Sequence, residues 1–413
     1  MKKGVLLIGH NFSPEPTGIG KYSGDMMNWL AKNGYDCTVV TTFPYYPYWK
    51  VQPPYKNRWF KKEVIQYSQS NSTLTIYRCP SYVPANPTGK KRMIQDISFW
   101  SSMFWVILKF IIFNKKYDYI IAIAPPFHLG YLGWAYKKIK GGKLIYHIQD
   151  LQIEAAQGLN MLSSDRLFKW LYAAEKKILR ESDFVSSVSE GMIGKIESKA
   201  GRSVIMFPNW VDTSCFFPIE DKITLKQKWG YKNNQFICLY SGSIGEKQGL
   251  ENIIYCAQLL KKHPNIKFII CGTGPYKPKL EELVKLENLT NVDFLPLQNE
   301  DVFNEFLNMA DVHLIIQKGN ASDLVMPSKL TTILAIGGAC IVTSSQNTSL
   351  YNLVKKYNVG FIVAPDDFNA LKETVLLLSQ NNANIQKTNA RAYAEEYLNI
   401  DSVMHRFVNT ITV

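Results

Sequence analysis

At 413 residues the chain exceeds what one hydrophobic core usually serves, so two domains of roughly 200 residues each are expected. A hydrophobic fraction of 46% with 20% charged residues excludes an intrinsically disordered chain. The net charge of +13 sits in one half: residues 1–205 hold 28 Lys and Arg against 14 Asp and Glu, a net of +14, while the other 208 hold 19 against 20, a net of −1. A field of that sign suits nucleic acid, acidic lipid or a phosphate-bearing glycolipid.

Short apolar runs at 5–9, 37–41, 74–78, 119–124, 143–147, 184–188 and 204–207 read as strands. Amphipathic helical patterns such as 21–32, 127–138 and 166–180 lie between several of them. The alternation restarts after Pro208, with strands at 236–241, 267–271, 292–295, 312–316, 340–343 and 360–363 and helices at 250–261, 278–286, 301–309 and 327–336. Strand–helix alternation predicts doubly wound parallel sheets, so the chain reads as α/β with two Rossmann-like domains, 1–207 and 208–394. Ligands of such sheets bind beyond the strand C-termini, which places the site of two facing domains in the cleft between them. Residues 388–411 carry helical periodicity through Ala390, Tyr393, Tyr397, Val403 and Phe407. The apolar run at 4–8 is too short for a signal peptide, and the seven dispersed cysteines read as buried free thiols, so a cytoplasmic protein is expected. No Cys-x-x-Cys, His-x-x-x-His or Asp-x-Asp spacing occurs, so neither a metal site nor a cofactor is indicated.

Strand one runs into His10-Asn-Phe-Ser-Pro-Glu-Pro-Thr-Gly-Ile-Gly20, with a helix expected from Lys21. Gly18 and Gly20 would let backbone amides approach a phosphate. A dinucleotide fingerprint is disfavoured, because Ser23 stands where its third glycine belongs and two prolines lengthen the loop. Residues 43–116 hold twelve Lys and Arg, among them Lys90, Lys91 and Arg92, against Glu63 and Asp96 alone, with Trp49, Trp59, Trp100 and Trp105 interleaved. The apolar run at 97–113, about 17 residues with Lys109 inside, is marginal for crossing a bilayer. It reads as a helix buried against the sheet on one side and, with its basic and aromatic surroundings, as a face for an anionic membrane on the other. The strand at 143–147 leads to Gln149, Asp150 and Glu154; His147 shares the Gln149 face and reads as a core histidine or a cleft residue.

In the second half Tyr240-Ser-Gly-Ser-Ile-Gly-Glu-Lys-Gln-Gly249 is a strand entering a glycine-rich turn, and Lys247 is either a solvated lysine or a phosphate ligand there. Gly272-Thr-Gly274 is a second glycine turn, as suited to architecture as to chemistry. In Asp323-Leu-Val-Met-Pro-Ser-Lys329 a loop turns into a helix, with Pro327 in the first turn, Ser328 placed to satisfy a free amide and Lys329 adding a full charge, which together suit an anion. The alternative is a plain capped helix packing Leu330, Ile333, Leu334 and Ile336 into a core.

Pro327-Ser-Lys329 followed by Leu334-Ala335 and Gly337 resembles the donor signature of glycosyltransferase family 4, retaining enzymes of the GT-B fold, and similar stretches cover almost the whole chain. The opening Asn11–Gly20 loop, Phe43-Pro-Tyr-Tyr-Pro47 and Asp323–Lys329 look most like colanic-acid-type fucosyltransferases of exopolysaccharide synthesis. The resemblance implies that Gly18, Gly20, Ser243, Lys247, Gly274, Leu297, Asp323, Pro327, Ser328, Lys329 and Thr332 bind a nucleoside diphosphate sugar without a metal. Thr332 and Ser243 stand where the family has an acidic and a basic residue, and Gln149 where it has His or Arg. It also implies acceptor chemistry at Asp150, His147, Glu154 or His10, and a final helix, 395–413, that crosses back to the first domain. The expected partners are a UDP-sugar or GDP-fucose, a polyprenyl-diphosphate-linked glycan acceptor and the inner face of the plasma membrane. Two rivals are a nucleotide-sugar epimerase of the same fold and a basic nucleic-acid-binding protein. No RNA-binding or recognition-helix pattern accompanies the charge, so no nucleic acid is expected.

Overall fold

Runs of branched apolar residues without polar alternation form strands covered on both faces, and the chain builds two sheets of this kind. The computed structural model describes residues 2–16, 18–158, 165–318 and 327–412. The chain divides into two units, Met1–Phe207 with Val408–Val413, and Pro208–Phe407. Residues 395–407 group with the second unit, so the C-terminal return to the first comprises only Val408–Val413, where Lys143 Nζ meets the Ile411 carbonyl at 3.4 Å.

The first unit runs β1 (Gly4–Ile8), α1 (Gly18–Lys32), β2 (Asp36–Thr42), β3 (Lys61–Tyr67), β4 (Ser72–Cys79), α2 (Gly89–Ile112) and β5 (Tyr119–Ala124). It continues through α3 (Leu129–Lys140), β6 (Lys143–Ile148), α4 (Gln152–Gly158), α5 (Asp165–Glu181), β7 (Phe184–Ser187), α6 (Glu190–Ala200) and β8 (Ile205–Met206). The sheet order is β3-β4-β2-β1-β5-β6-β7-β8, so the winding direction reverses between β1 and β5. All pairings are parallel except β3 with β4. Strand β3 went unread in the sequence because it is an edge strand with charged Lys61, Lys62 and Glu63 and no buried face, so nothing forces apolar alternation.

The second unit holds α7 (Lys222–Lys228), β9 (Phe236–Ser241), α8 (Glu251–Leu259), β10 (Ile266–Cys271), α9 (Lys277–Leu286), β11 (Val292–Leu295) and α10 (Glu300–Asn308). Then come β12 (Val312–Ile315), α11 (Ser328–Ala335), β13 (Cys340–Thr343), α12 (Ser349–Tyr357), β14 (Phe361–Val363), α13 (Phe368–Gln380) and α14 (Asn384–Tyr393), and α15 (Ile400–Thr412) begins in this unit and ends in the first. Its order is β11-β10-β9-β12-β13-β14, fully parallel, with the reversal between β9 and β12. Each sheet therefore has one switch point, where a doubly wound sheet opens a crevice beyond its strand C-termini.

None of the seven cysteines is in a disulfide, and six are buried as expected; Cys215 is exposed, because it lies in the turn that Asp212 closes by accepting from the Ser214 and Cys215 amides.

Candidate functional site

The second switch point is built around Lys329. Its backbone lies in the first turn of α11, and its ammonium sits 3.6 Å from the centre of the Tyr240 ring, near the end of β9. Tyr240 is held there by donating its hydroxyl to the Ser243 carbonyl at 2.7 Å. The glycine at 242 is required: a Cβ there would stand 3.3 Å from the Lys329 nitrogen, and its φ of +152° lies outside the usual range of other residues. The ammonium is buried and has no hydrogen-bond partner among the described residues. Desolvation lowers its pKa to about 7, since among the described residues the π face alone offsets the loss of water.

The start of α11 departs from the expected capping. Pro327 is the N-cap rather than a first-turn residue, Ser328 is exposed, and no side chain among the described residues caps the helix. The Ser328 carbonyl instead accepts the Thr331 hydroxyl at 2.8 Å. Thr332 is half-buried one turn further on. Ser243 is exposed after β9, and Leu297, 59% exposed, follows β11. Gly274 serves packing: a Cβ there would meet the Ile244 carbonyl oxygen at 2.0 Å, because Ile244 donates to Thr273 and accepts from Tyr276 across the two turns. Asp323 and the side chain of Lys247 lie outside the described residues; the Lys247 backbone is in a short 3₁₀ turn, Glu246–Gln248.

At the first switch point the loop after β1 is pinned by Glu15. One of its oxygens accepts from the Tyr45 and Tyr46 amides, both at 3.0 Å, and the other from Asn11 at 2.9 Å. Helix α1 begins at Gly18, earlier than the sequence suggested, so Gly18 and Gly20 lie in its first turn. Gly18 has φ +63°, and a Cβ at Gly20 would stand 2.5 Å from Glu15 Oε2, so a carboxyl fills the space beside that glycine. His10 is 5% exposed, stacks on Phe99 of α2 at 4.8 Å, and points Nδ1 at Asp96 Oδ1, 3.6 Å away. Burial, reinforced by His128, holds His10 down to about 3, so its ring is neutral. Burial pushes Asp96 up to about 7 against the opposing pull of Gln152 and Arg92.

The other acceptor-side candidates are differently employed. His147 is 2% exposed, with Nδ1 on Ser186 at 3.0 Å and Nε2 on Gln149 at 2.9 Å, a satisfied core histidine. Glu154 pairs with Lys199 at 2.5 Å, and Lys199 also holds the buried Glu175. Asp150 is half-buried just after β6. Sequence reasoning counted Asp96 only as one of two acids in a basic window; nothing local marks its burial beside His10, because that is a contact between two elements distant in the chain.

Helix α2 is apolar on two sides. Phe99, Met103, Val106, Ile107 and Phe110 enter the core, while Ile94, Ile97, Phe104, Trp105 and Ile112 form an exposed stripe at helical spacing. Lys90 and Arg92 are exposed at its start and Lys91 is half-buried. The Arg92 guanidinium lies 4.8 Å over the ring of Trp49, itself half-buried. Trp59 and Trp105 are exposed, whereas Trp100 packs partly on the core and stacks on Phe104 at 5.8 Å. Among the described residues no helix is long and apolar enough to cross a membrane, and no three His, Cys, Asp or Glu side chains gather as metal ligands.

Comparison with known proteins places this geometry. The model of the glycosyl transferase 4-like domain matches residues 17–210, and that of the glycosyl transferases group 1 matches residues 221–397. WcaI of Escherichia coli (strain K12), a glycosyl transferase assigned to colanic acid biosynthesis, is 37% identical over 420 residues, covering 98% of this chain and 99% of that one. Sucrose-phosphate synthase from Thermosynechococcus elongatus has a similar structure, with a TM-score of 0.75 at 16% identity over 100% of this chain and 98% of that one. HepE of Anabaena, solved with UDP-glucose, gives 0.66 at 14% identity over 99% of both chains.

Proposed function

The chain belongs to the group 1, family 4-like glycosyltransferases and has the GT-B fold, and on that premise we propose that it transfers a sugar from a nucleoside diphosphate to a lipid-linked glycan in the synthesis of a bacterial surface polysaccharide. The observation that carries the donor half is Lys329, a buried ammonium with no hydrogen-bond partner among the described residues, at the switch point of the second sheet. A diphosphate supplies the missing counter-charge, and the ammonium in turn stabilises the charge that builds on the leaving group. Lys247 and the α11 amides add to it, so the transfer proceeds without a metal and, as in the family the chain resembles, with retention. The donor is a UDP-sugar or GDP-fucose. HepE, of the same fold, was solved with UDP-glucose, which favours the uridine nucleotide.

The acceptor half rests on helix α2. Its outward stripe with Lys90, Lys91 and Arg92 suits a surface of anionic lipid, with rings among the headgroups and a polyprenyl-diphosphate-linked glycan presented alongside. The enzyme is then peripheral on the inner face of the plasma membrane. An epimerase of the same fold needs no such surface, and turnover of the nucleotide sugar alone would identify one.

The deciding experiment is a thermal-shift panel of nucleotides and nucleotide sugars. A bound nucleotide at about 100 times its Kd adds about 2.7 kcal/mol, and transfer in excess EDTA should match transfer without it. No shift from any member, or activity abolished by chelator and restored by Mg²⁺, defeats the reading.

A further inference from the structure

We propose that Tyr240 is a positioning residue for nucleotide binding, its ring face holding the Lys329 ammonium in the place where a diphosphate meets it. The inference rests on the reading of the second unit as the donor site. Along β9 the side chains of Cys238 and Tyr240 enter one core cluster and those of Ile237 and Leu239 another, as strand alternation requires. Ile336, at the end of α11, packs with Ile237 and Leu239, so α11 lies on the face away from Tyr240. The Lys329 stem therefore crosses the C-terminal edge of the sheet from its own helix to end 3.6 Å from the centre of a ring on the other face. It crosses where β9 and β12 are neighbours and the winding reverses, the place where such a sheet opens a crevice.

The ring is a fixed platform. Tyr240 is 1% exposed and donates its hydroxyl to the Ser243 carbonyl at 2.7 Å. The turn that carries this carbonyl is itself tied down on both sides, by the Gly242 amide on the Cys271 carbonyl at 3.0 Å and the Ile244 amide on the Thr273 carbonyl at 2.9 Å. The Gly242 backbone adjoins ring and ammonium together: a Cβ there would stand 3.3 Å from Lys329 Nζ and 3.6 Å from the Tyr240 hydroxyl oxygen. Gly272 in turn has to lack a side chain, because a Cβ there would collide with the Gly242 carbonyl.

Burial pushes the Tyr240 phenol well above its ordinary range, so the ring is uncharged and attracts the ammonium through its π face. Among the described residues no charged side chain shares that hold; desolvation is the one cause of the Lys329 shift. A lysine head on its flexible stem has to be ordered when it grips a ligand, and that ordering costs affinity. A head already seated on a locked ring is ordered in advance. Tyr240 thus serves the diphosphate through Lys329 without touching it.

The test separates the electrons of the ring from its shape. Tyr240→Phe keeps the face and drops the hydroxyl, and mono-, di- and trifluorinated phenylalanines placed at the same position drain charge from the face with little change of size. The first arm needs no nucleotide. In protein carrying ¹³C-labelled lysine, the Lys329 signal, identified by its loss in Lys329→Met, should titrate near pH 7, and its midpoint should fall stepwise with fluorination by up to about one pH unit. The second arm follows affinity for UDP and GDP. A ring that holds the ammonium alike before and after binding affects affinity only by neutralising the free lysine. Relative to Tyr240→Phe, the fluorinated series should therefore stay within about twofold at pH 6 and weaken by up to about tenfold at pH 8. A Lys329 midpoint indifferent to fluorination overturns the proposal, as does an equal loss of affinity at both pH values, which makes the ring a matter of packing alone. If neither nucleotide binds the wild type while the midpoint follows the fluorines, the donor reading falls and the hold of the ring on the ammonium stands by itself.

Discussion

Each of the two sheets has one buried ionisable side chain of interest near its switch point, and the two are of opposite charge. At the switch point of the first, burial pushes an acid, Asp96, up to about 7; at that of the second, burial brings a base, Lys329, down to the same value. Desolvation disfavours whichever form is charged, so both groups are drawn toward neutrality from opposite sides. Their surroundings differ. Asp96 has the Gln152 amide and the Arg92 guanidinium opposing its shift and a neutral imidazole 3.6 Å away, whereas among the described residues Lys329 has only the face of Tyr240. The difference teaches which end lacks a partner: among the described residues the cation has no counter-charge, while the acid is partly compensated by its neighbours.

The comparison is sharpened most strongly by removing a charge that neither end uses. Lys199→Met leaves Glu175, 3% exposed, without its cation, and stability should fall by about 3–5 kcal/mol in chemical denaturation. Glu154→Gln in the same measurement should cost far less, because Glu154 is the more exposed partner. If Glu154→Gln instead abolishes transfer while leaving stability intact, Glu154 serves the transfer itself and not only the ion pair with Lys199.

Next in size is membrane docking. Replacing Lys90, Lys91 and Arg92 with Ser should remove about 1 kcal/mol of attraction each, so binding to anionic vesicles at low salt should largely disappear. Equal recovery of wild type and variant with the vesicles would detach α2 from any lipid role. At the cation end, Lys329→Met should weaken UDP binding by about 1.5–3 kcal/mol in calorimetry. A phosphate raises the lysine's pKa from about 7, so nucleotide binding takes up a proton above that pH. Affinity should therefore fall as pH climbs from about 7 to 9, by up to about tenfold per unit, and the slope should vanish in the variant. A slope that survives Lys329→Met assigns the proton to another group. The smallest effect is expected from Thr332→Val, where a half-buried hydroxyl replaces the carboxylate of the family pattern. Its loss should raise the donor KM by about 0.5–1.5 kcal/mol equivalent, and an unchanged KM would move the ribose contact elsewhere.

The positions of the buried strands, the two-sheet organisation and the family were legible in the sequence because each depends on local periodicity or on short motifs. Val-Leu-Leu-Ile at β1 and Tyr-Ile-Ile-Ala-Ile-Ala at β5 have no reason to lack polar residues unless both faces are covered. Pro327-Ser-Lys329 likewise pointed to a helix start with a cation. Its capping did not follow, because a chain that enters with Pro327 as N-cap leaves Ser328 facing solvent. Nor did the purpose of Gly20 and Gly274, which is close approach to Glu15 and to the Ile244 carbonyl. Above all, no local pattern could select Asp96. Its carboxyl gains its character from a histidine on another element and from the water that their neighbours exclude, and desolvation is a property of the assembled fold. The sequence by itself determined where the buried strands and the cations lie; tertiary structure alone decided which of the ionisable groups would be left without water.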